Sequence, residues 1–287
     1  MTSIDLSVII PTTASSERGA LLRRAIKSVV DEGALPIVVV NGSRFDPRLR
    51  QDLAATASIK CLYREEGSLP GALLEGRNSV TTEFFAVLDD DDEFMPGAFK
   101  ARLRPFRQDS NIDVVVTGGY RRRDGQLSLY HDDIEVFQKD PLQGLMDFNW
   151  LASAAGTYRT ERVQSKFFEH LPRYLEWTCL AVRLALERNI KLIKEPTYIC
   201  SADSPGSLSK SKEYIVCQPV AVARMLDAPV PPAIRRQLRK KYAAALHVVA
   251  TLMLRDGNRA CAWRYHLKSL RHGGLLRYAL FTRHLLC

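Results

Sequence analysis

The chain has 287 residues, of which 46% are hydrophobic and 25% are charged, a balance typical of a folded protein that buries its own core. Its formal net charge is +9, yet residues 233–287 alone carry twelve Lys or Arg against one Asp, so the rest of the chain is slightly acidic. The longest apolar stretch, 243–254, is below the ~20 residues that span a bilayer, and the N-terminus lacks the pattern of a signal peptide. We therefore expect a soluble or peripheral protein rather than an integral one.

Short apolar runs alternate with segments of helical periodicity over the first 120 residues. Strands are predicted at 6–10, 37–40, 59–63, 84–88 and 112–117, and helices at 18–31, 46–57, 70–80 and 96–106. Strands separated by helices in this way predict an α/β fold with a mainly parallel sheet. Ligands bind at the carboxyl ends of such strands, so the three segments that directly follow strands, at 11–12, 41–42 and 89–92, are expected to meet at one edge.

The pattern changes along the rest of the chain. We predict an exposed strand at 126–131, a helix at 175–186 and a short strand at 190–193. Prolines cluster at 229–232, and the sequence after them is basic. We therefore predict a catalytic α/β domain over 1–228 and a basic amphipathic helical extension over 229–287.

Cysteine spacing excludes several kinds of site. The six cysteines form no C-x-x-C pair and no zinc-ligand spacing, which favours reduced thiols in a cytoplasmic protein. The Gly-x-x-x-x-Gly-Lys-Ser/Thr pattern is also absent, which excludes a P-loop kinase.

Four consecutive aspartates at 89–92 are the strongest chemical signal. Adjacent carboxylates repel one another, and a divalent cation that prefers oxygen ligands relieves the repulsion. Alternate residues of an extended segment face the same way, so Asp89 and Asp91 can share a face. The alternative is a solvated acidic turn, which the preceding buried strand disfavours.

Four segments together resemble the family 2 glycosyltransferases with a GT-A fold. They are residues 6–13, residues 38–43, Gly76-Arg77-Asn78, and residues 85–92 followed by Pro96. The resemblance covers about residues 4–200. It implies a Rossmann-like sheet flanked by helices, a nucleotide-sugar donor, and Mg²⁺ or Mn²⁺ as cofactor.

The resemblance also implies roles for individual residues. Pro11 and Thr12 fall where the family contacts the nucleobase, and Asn41 falls where it usually has an Asp for base or ribose. Arg77 falls near the nucleotide and could approach a phosphate, as guanidinium geometry favours; the alternative is a surface salt bridge. The aspartates match the D-x-D motif. In this match Asp89 and Asp90 bind the sugar donor and Asp91 is a metal ligand. Asp92 is either a further ligand or a hydrogen-bond acceptor that supports the site.

Glu176 is the favoured general base, which the acceptor hydroxyl needs as it attacks. Its segment resembles the family's Glu-Asp pair before a helix, although Trp177 stands where the family has Asp. The alternatives are a plain helix N-terminal charge for Glu176 and a base at Asp132 or Asp133, which more closely suit a solvated loop. Trp177 either stacks on a sugar or fills core.

Basic residues alternate with Leu and aromatic residues near the C-terminus. Arg235, Arg236, Arg239, Lys240 and Lys241 precede an apolar run, and Arg or His alternates with Leu, Tyr and Phe over 275–286. This pattern is typical of an interfacial helix on an anionic membrane. The alternative is a helical extension packed on the protein with a solvated basic face. No nucleic-acid-binding motif is present, and we expect no nucleic-acid partner.

These observations predict an inverting, metal-dependent glycosyltransferase. It would move a sugar from a nucleotide-diphosphate donor to a glycan or lipid-linked acceptor in surface or extracellular polysaccharide synthesis. We expect it in the cytoplasm, peripheral at the inner face of the cell membrane. The alternative is a catalytically idle GT-A-like protein that binds a glycan or a partner, which the unusual Asn41 and Trp177 keep open.

Overall fold

The computed structural model describes residues 5–131, 133–202 and 211–286. The chain forms two compact units. Among the described residues, the first unit holds 5–171 and 183–202, and the second holds 172–182 and 211–286. The second unit therefore begins before the proline cluster at 229–232, where the sequence predicts a boundary.

One mixed β-sheet organises the first unit. In the described part of the chain its nine strands are β1 Leu6–Thr12, β2 Leu35–Asn41, β3 Lys60–Arg64, β4 Phe84–Val87, β5 Glu93–Phe94, β6 Val114–Arg123, β7 Gln126–Leu129, β8 Gly156–Arg159 and β9 Ile190–Ser201. Their order is β3-β2-β1-β4-β8-β6-β9-β5, with β7 on β6. Strands β1 to β4 are parallel, as are β6 and β9, while β8 runs antiparallel to β4 and β6. The predicted α/β class is confirmed.

Strands β1, β2 and β4 of the parallel half are buried on both faces, which is why their sequences are mostly apolar, whereas the edge strand β3 is only partly buried. All seven residues of β1 are buried, as are residues 36–40 of β2. Thr12 lies opposite Val40, and the backbone N–H of Leu88 donates to the carbonyl of Ile9 at 3.0 Å. The carboxyl ends of β1, β2 and β4 therefore meet at one edge, as predicted.

Helices cover this sheet. They are α1 Gly19–Asp31, α2 Pro47–Ala55, α3 Leu69–Asn78, α4 Ala98–Gln108 and α5 Pro141–Asp147; α6, Glu176–Glu187, contributes residues to both units. Helix α3 packs closely on β1, because a Cβ atom at Gly76 would lie only 2.3 Å from Cγ2 of Ile9. This approach requires glycine at position 76.

Arg102 of α4 ties the second half of the sheet together. Its side chain is fully buried, and its guanidinium donates to the hydroxyls of Thr117, Thr157 and Thr197 at 2.7–3.3 Å. These threonines come from β6, β8 and β9 respectively. The guanidinium also donates to the backbone carbonyl of Ala154 at 2.5 Å. The interactions satisfy a charge that would otherwise be costly to bury.

The second unit is helical in the part that the structure describes. Its longer helices are α7 Lys212–Asp227, α8 Pro232–Arg255 and α9 Arg259–Ser269, and two short ones follow, α10 Leu275–Tyr278 and α11 Thr282–Leu286. Helix α7 belongs with α8, because Arg235 donates to the carbonyls of Leu226 and Ala228 at the end of α7. These bonds explain why the proline cluster lies inside the unit.

The segment after α9 is not one continuous amphipathic helix. His247 of α8 stacks on Tyr278 with ring centroids 4.0 Å apart, and it meets Phe281 edge-on at 4.8 Å. His266 of α9 shares a 2.9 Å hydrogen bond with Thr282. Aromatic residues that the sequence assigns to a membrane face are thus partly packed on α8 and α9, as in the alternative of a packed extension. Within the described residues, no helix is long and apolar enough to cross a membrane.

Candidate functional site

The carboxyl ends of β1 and β4 are joined by a hydrogen bond. The hydroxyl of Thr12 donates to Oδ2 of Asp90 at 2.5 Å, and it accepts from the backbone N–H of Ala14 at 2.9 Å. Pro11 and Thr12 are both buried, and Thr13 is the first exposed residue of this segment. The side chains of Pro11 and Thr12 are therefore not exposed in the way that the predicted contact with a nucleobase requires. Thr12 instead orders the aspartate loop, residues 89–92.

The four aspartates differ in their partners and in their exposure. Oδ2 of Asp89 accepts from the hydroxyl of Ser153 at 2.7 Å, and Oδ1 of Asp92 accepts from the backbone N–H of Ser201 at 2.9 Å. Asp90 and Asp92 are buried, whereas Asp91 keeps 17% of its side chain exposed. Asp91 is therefore better placed than Asp92 to meet a ligand at the surface.

Burial and mutual repulsion disfavour the charged form of two of the loop's carboxyls. Burial, reinforced by repulsion from Asp92 and Asp91, raises the pKa of Asp89 well above its usual range. Burial and repulsion from Asp91 raise the pKa of Asp92 to about 7, against hydrogen bonds from Ser201 and Cys200. A bound cation would relieve this repulsion.

Two arginines from the start of the chain cover the loop, and the sequence interpretation missed both. Arg18 makes a bidentate ion pair with Asp90, with Nε 2.9 Å from Oδ2, and its Nη2 also lies 3.3 Å from Oδ1 of Asp91. Arg24 donates to the backbone carbonyl of Asp91 at 2.8 Å. Both lie shortly after β1, near the edge where the aspartates were predicted, but nothing in the sequence pairs them with the aspartate loop.

The carboxylates of the aspartate loop fit a metal ion that is held jointly by the protein and by the phosphates of a nucleotide. Within the described ranges, no group of three or more His, Cys, Asp or Glu side chains surrounds a common point. Mg²⁺ in nucleotide sites typically needs only one or two carboxylates, with phosphates and water completing its shell. Asp91 and Asp89 are the two carboxylates that would hold such a metal, whereas both oxygens of Asp90 are engaged by Arg18. Asp90 therefore does not serve as an open donor contact.

Asn41 lies at the same edge, at the end of β2. Its Oδ1 accepts from the backbone N–H of Ser68 at 2.9 Å, which ties the end of β2 to the start of α3. An open groove of about 610 Å³ lies between the segments after β1 and β2, and is lined by Ser15, Ser16, Arg44, Phe45, Asp46, Pro47 and Arg48. A nucleoside-sized group fits this volume.

Arg77 lies at the opposite edge of the sheet. Its Nε donates to the carbonyl of Val163 at 2.9 Å, its Nη2 donates to that of Thr160 at 2.6 Å, and its guanidinium covers the ring of Phe85 at the start of β4. Only 7% of the residue is exposed. The prediction that Arg77 approaches a phosphate beside Asn41 and Asp91 is therefore wrong. The alternative of a surface salt bridge is wrong as well, because the partners of the buried Arg77 are backbone carbonyls.

Glu176 belongs to the second unit and begins α6. Its Oε2 accepts from the backbone N–H of Tyr174 at 3.1 Å, and burial raises the pKa of its carboxyl. Tyr174 and Leu175 both adopt the left-handed region, with φ of 108° and 57°. Such strain in non-glycine residues is concentrated at functional sites.

The structure gives less support to the other candidate bases, Asp132 and Asp133. Asp133 is exposed, and its Oδ1 accepts from the backbone N–H of Glu135 at 2.9 Å, as a turn-capping residue does. Asp132 lies outside the described residues. Trp177 is partly exposed rather than core.

Solved structures with a similar fold include two of TarS from S. aureus, residues 1–349. The one in complex with UDP-GlcNAc has a TM-score of 0.64 at 13% identity, and the similarity covers 93% of this chain and 80% of that chain. The one described without a ligand has a TM-score of 0.60 at 14% identity, over the same shares of the two chains. At this level of identity the likeness establishes the GT-A fold.

Sequence comparison adds the family. An uncharacterized glycosyltransferase of Rickettsia typhi is 29% identical over 128 residues, which are 44% of this chain and 39% of the relative, so the chain spans about two fifths of that relative's length. The model of glycosyl transferase family 2 matches residues 7–168, more than half of the chain. The protein belongs to glycosyl transferase family 2.

Proposed function

We propose that the protein is an inverting, metal-dependent glycosyltransferase that uses a nucleotide-diphosphate sugar. The observation that carries the proposal is the meeting of Thr12, Asn41 and the aspartates at the carboxyl edge of β1, β2 and β4. A family 2 sequence and a fold shared with a protein solved in complex with UDP-GlcNAc support it.

In this proposal Asp91, assisted by Asp89, holds Mg²⁺ or Mn²⁺ together with the donor's diphosphate. When bound, the metal stabilises the negative charge that develops on the leaving diphosphate. Ser153 fixes the carboxylate of Asp89, and the backbone N–H of Ser201 fixes that of Asp92. The protein thus sets the directions of these carboxylates before the donor binds.

Glu176 takes the proton from the acceptor hydroxyl in this proposal. Three observations support it: burial raises the pKa of its carboxyl, the carboxylate is oriented by the backbone N–H of Tyr174, and two strained residues precede it. A carboxylate whose pKa lies closer to neutral is a stronger base than an ordinary glutamate.

We propose a glycan or lipid-linked acceptor in surface or extracellular polysaccharide synthesis, and a cytoplasmic protein peripheral to the membrane. The excess of basic residues in 233–287 supports the membrane part. Leu280 and Leu286 are 77% and 73% exposed, and Arg277 and Arg283 are exposed beside them in sequence. Apolar side chains flanked by cations suit the surface of an anionic membrane.

A catalytically idle binding protein is the second candidate. Asn41 in place of the acid expected from the resemblance, and an aspartate loop covered by Arg18, favour it. The two candidates differ in turnover, because an idle protein binds its ligand without consuming it.

A panel of nucleotide sugars, incubated with Mg²⁺ or Mn²⁺, tests the proposal through release of nucleoside diphosphate. An Asp91→Asn variant controls for contaminating hydrolases. Metal-dependent release by the wild type, absent from the variant, is expected. Nucleotide binding without release, across donors and acceptors, would favour the idle protein.

A further inference from the structure

Arg18 lies against the aspartate loop, where it contacts Asp90 and Asp91. It ends a short 3₁₀ turn, Ser16–Arg18, directly before α1. Its side chain is 22% exposed, whereas that of its partner Asp90 is 7% exposed. Asp90 is in turn held by the hydroxyl of Thr12. A buried and anchored carboxylate thus fixes a guanidinium that still reaches solvent.

The charge arrangement distinguishes Asp90 from its neighbours. Both its oxygens face Arg18, and Oδ2 also accepts from Thr12, so the carboxylate is fully engaged by the protein. Bidentate pairing fixes the plane and direction of a guanidinium as well as its charge. The pairing with Asp90 therefore holds the positive charge of Arg18 in one fixed position.

We propose that Arg18 is a donor-binding residue, which Asp90 positions so that its guanidinium contacts the diphosphate of the nucleotide sugar. This inference rests on the proposed function. The carboxyl edge of β1 and β4 is where an α/β sheet binds its ligand, and a guanidinium matches the oxygens of a phosphate. Arg18 then supplies a permanent positive charge beside the leaving group.

The same geometry couples the donor to the metal. Nη2 of Arg18 lies 3.3 Å from Oδ1 of Asp91, the proposed metal ligand. A divalent cation at Asp91 would therefore bind within a few ångströms of a guanidinium and be repelled by it. The negative diphosphate removes this repulsion when it binds between the two cations. Arg18 should thus strengthen nucleotide binding and weaken metal binding in the absence of nucleotide.

Two binding measurements on the full chain test these opposite effects. UDP, GDP, CDP and ADP are titrated calorimetrically into wild type and Arg18→Met with a chelator present. The variant should bind the preferred nucleotide about tenfold to a hundredfold more weakly, the scale of a lost charged hydrogen bond. Mn²⁺ alone, followed by electron paramagnetic resonance, should bind the variant several-fold more tightly.

Arg23→Met is the matched control, because Arg23 lies on α1 a few residues after Arg18 but is exposed and forms its ion pair with Asp52. It should leave both affinities unchanged. Arg18→Lys keeps the charge but not the bidentate geometry, so it should restore part of the nucleotide affinity. If Arg18→Met unfolds, Arg18→Lys carries the test, with an expected loss of about threefold to tenfold in nucleotide affinity.

The outcomes separate this inference from the proposed function. Equal nucleotide affinity in wild type and the folded Arg18 variant would overturn the donor contact. Weaker Mn²⁺ binding in Arg18→Met would overturn the coupling and leave Arg18 as a support for the loop. A wild type that binds none of the four nucleotides, with or without Mn²⁺, would instead contradict the proposed function itself.

Discussion

The hydroxyl of Thr12 lies 2.5 Å from the carboxylate of Asp90, although 78 positions separate the two residues in the chain. This bond joins the ends of two neighbouring parallel strands at the edge where ligands bind. It fixes Asp90, and through Asp90 it fixes Arg18. The aspartate loop is therefore ordered by the protein itself.

Asp91→Asn should remove most transfer activity and leave the fold intact. Asp91 is partly exposed and its carboxylate forms an ion pair with Arg18, so the substitution removes charge rather than packing. We expect at least a 10²-fold lower kcat, the scale for loss of one electrostatic contact in a transition state. Steady-state kinetics with Mn²⁺, beside circular dichroism of the same sample, measure both effects. Wild-type activity in the variant, or in excess chelator, would refute the metal role.

Glu176→Gln should lower kcat by roughly 10²-fold or more while donor affinity stays unchanged. Burial raises the pKa of the Glu176 carboxyl, so the wild-type rate should fall on acidification through a pKa above the ordinary 4.5. The raised pKa affects stability and activity in opposite ways: activity should rise with pH, whereas the contribution of this carboxyl to stability falls. A raised folded-state pKa means that stability is lost as pH rises through it, because ionisation of the buried carboxyl is unfavourable.

Glu176→Gln should therefore be at least as stable as the wild type at pH 7, which thermal unfolding checks. Gln keeps an oxygen that can accept from the backbone N–H of Tyr174. An inactive variant that is also clearly less stable would indicate a structural role. An equally active variant would move the base elsewhere, first to Asp133 or Asp132.

Arg77→Met should reduce stability without affecting nucleotide binding. The substitution leaves the buried carbonyl of Val163 and the part-buried carbonyl of Thr160 without their donor, at a cost of about 2–3 kcal/mol. Urea unfolding measures the stability, and UDP titration on the folded variant measures the binding. A large loss of nucleotide affinity with unchanged stability would restore the role that the sequence suggested.

The protein should sediment with anionic liposomes at low salt and be released as salt rises. Each basic residue near such a surface contributes about 1 kcal/mol, and the attraction fades within a Debye length. A triple variant of the full chain, Arg277→Glu, Leu280→Asp and Arg283→Glu, should bind markedly less. Lys100→Glu changes an exposed charge of the first unit and serves as the control. No sedimentation of the wild type at low salt would exclude the membrane partner.

Strands β1, β2 and β4 could be predicted because they are buried on both faces. Strand β1 is apolar except for Ser7 and Thr12, so its run of hydrophobic residues marks it directly. Strand β9 extends to Ser201, far beyond the predicted 190–193. The prediction ended too early because Lys194, Glu195 and Pro196 interrupt the apolar pattern of the strand. Pairing with β6 and β5 sustains the strand, and such partners are not visible in a local pattern.

The sites of Arg77 and Arg18 show what spacing along a sequence does and does not determine. Helix α3 runs back across the sheet, so its last turn lies at the amino edge, where Lys60 at the start of β3 donates to the carbonyl of Ser79. This direction follows from the βαβ connection and could have excluded Arg77 from the ligand edge. Arg18 lies in a 3₁₀ turn without periodicity, and only the three-dimensional structure pairs it with Asp90.

The buried guanidinium of Arg102 makes four positions depend on one another. Replacing Thr117, Thr157 or Thr197 by the isosteric Val would remove an acceptor from a cation that water does not reach, so each change alone should be harmful. Replacing all four positions by apolar residues of similar volume could be nearly neutral. Evolution can therefore leave this arrangement only by passing through poorly folding intermediates, and related chains should keep the whole set or none of it.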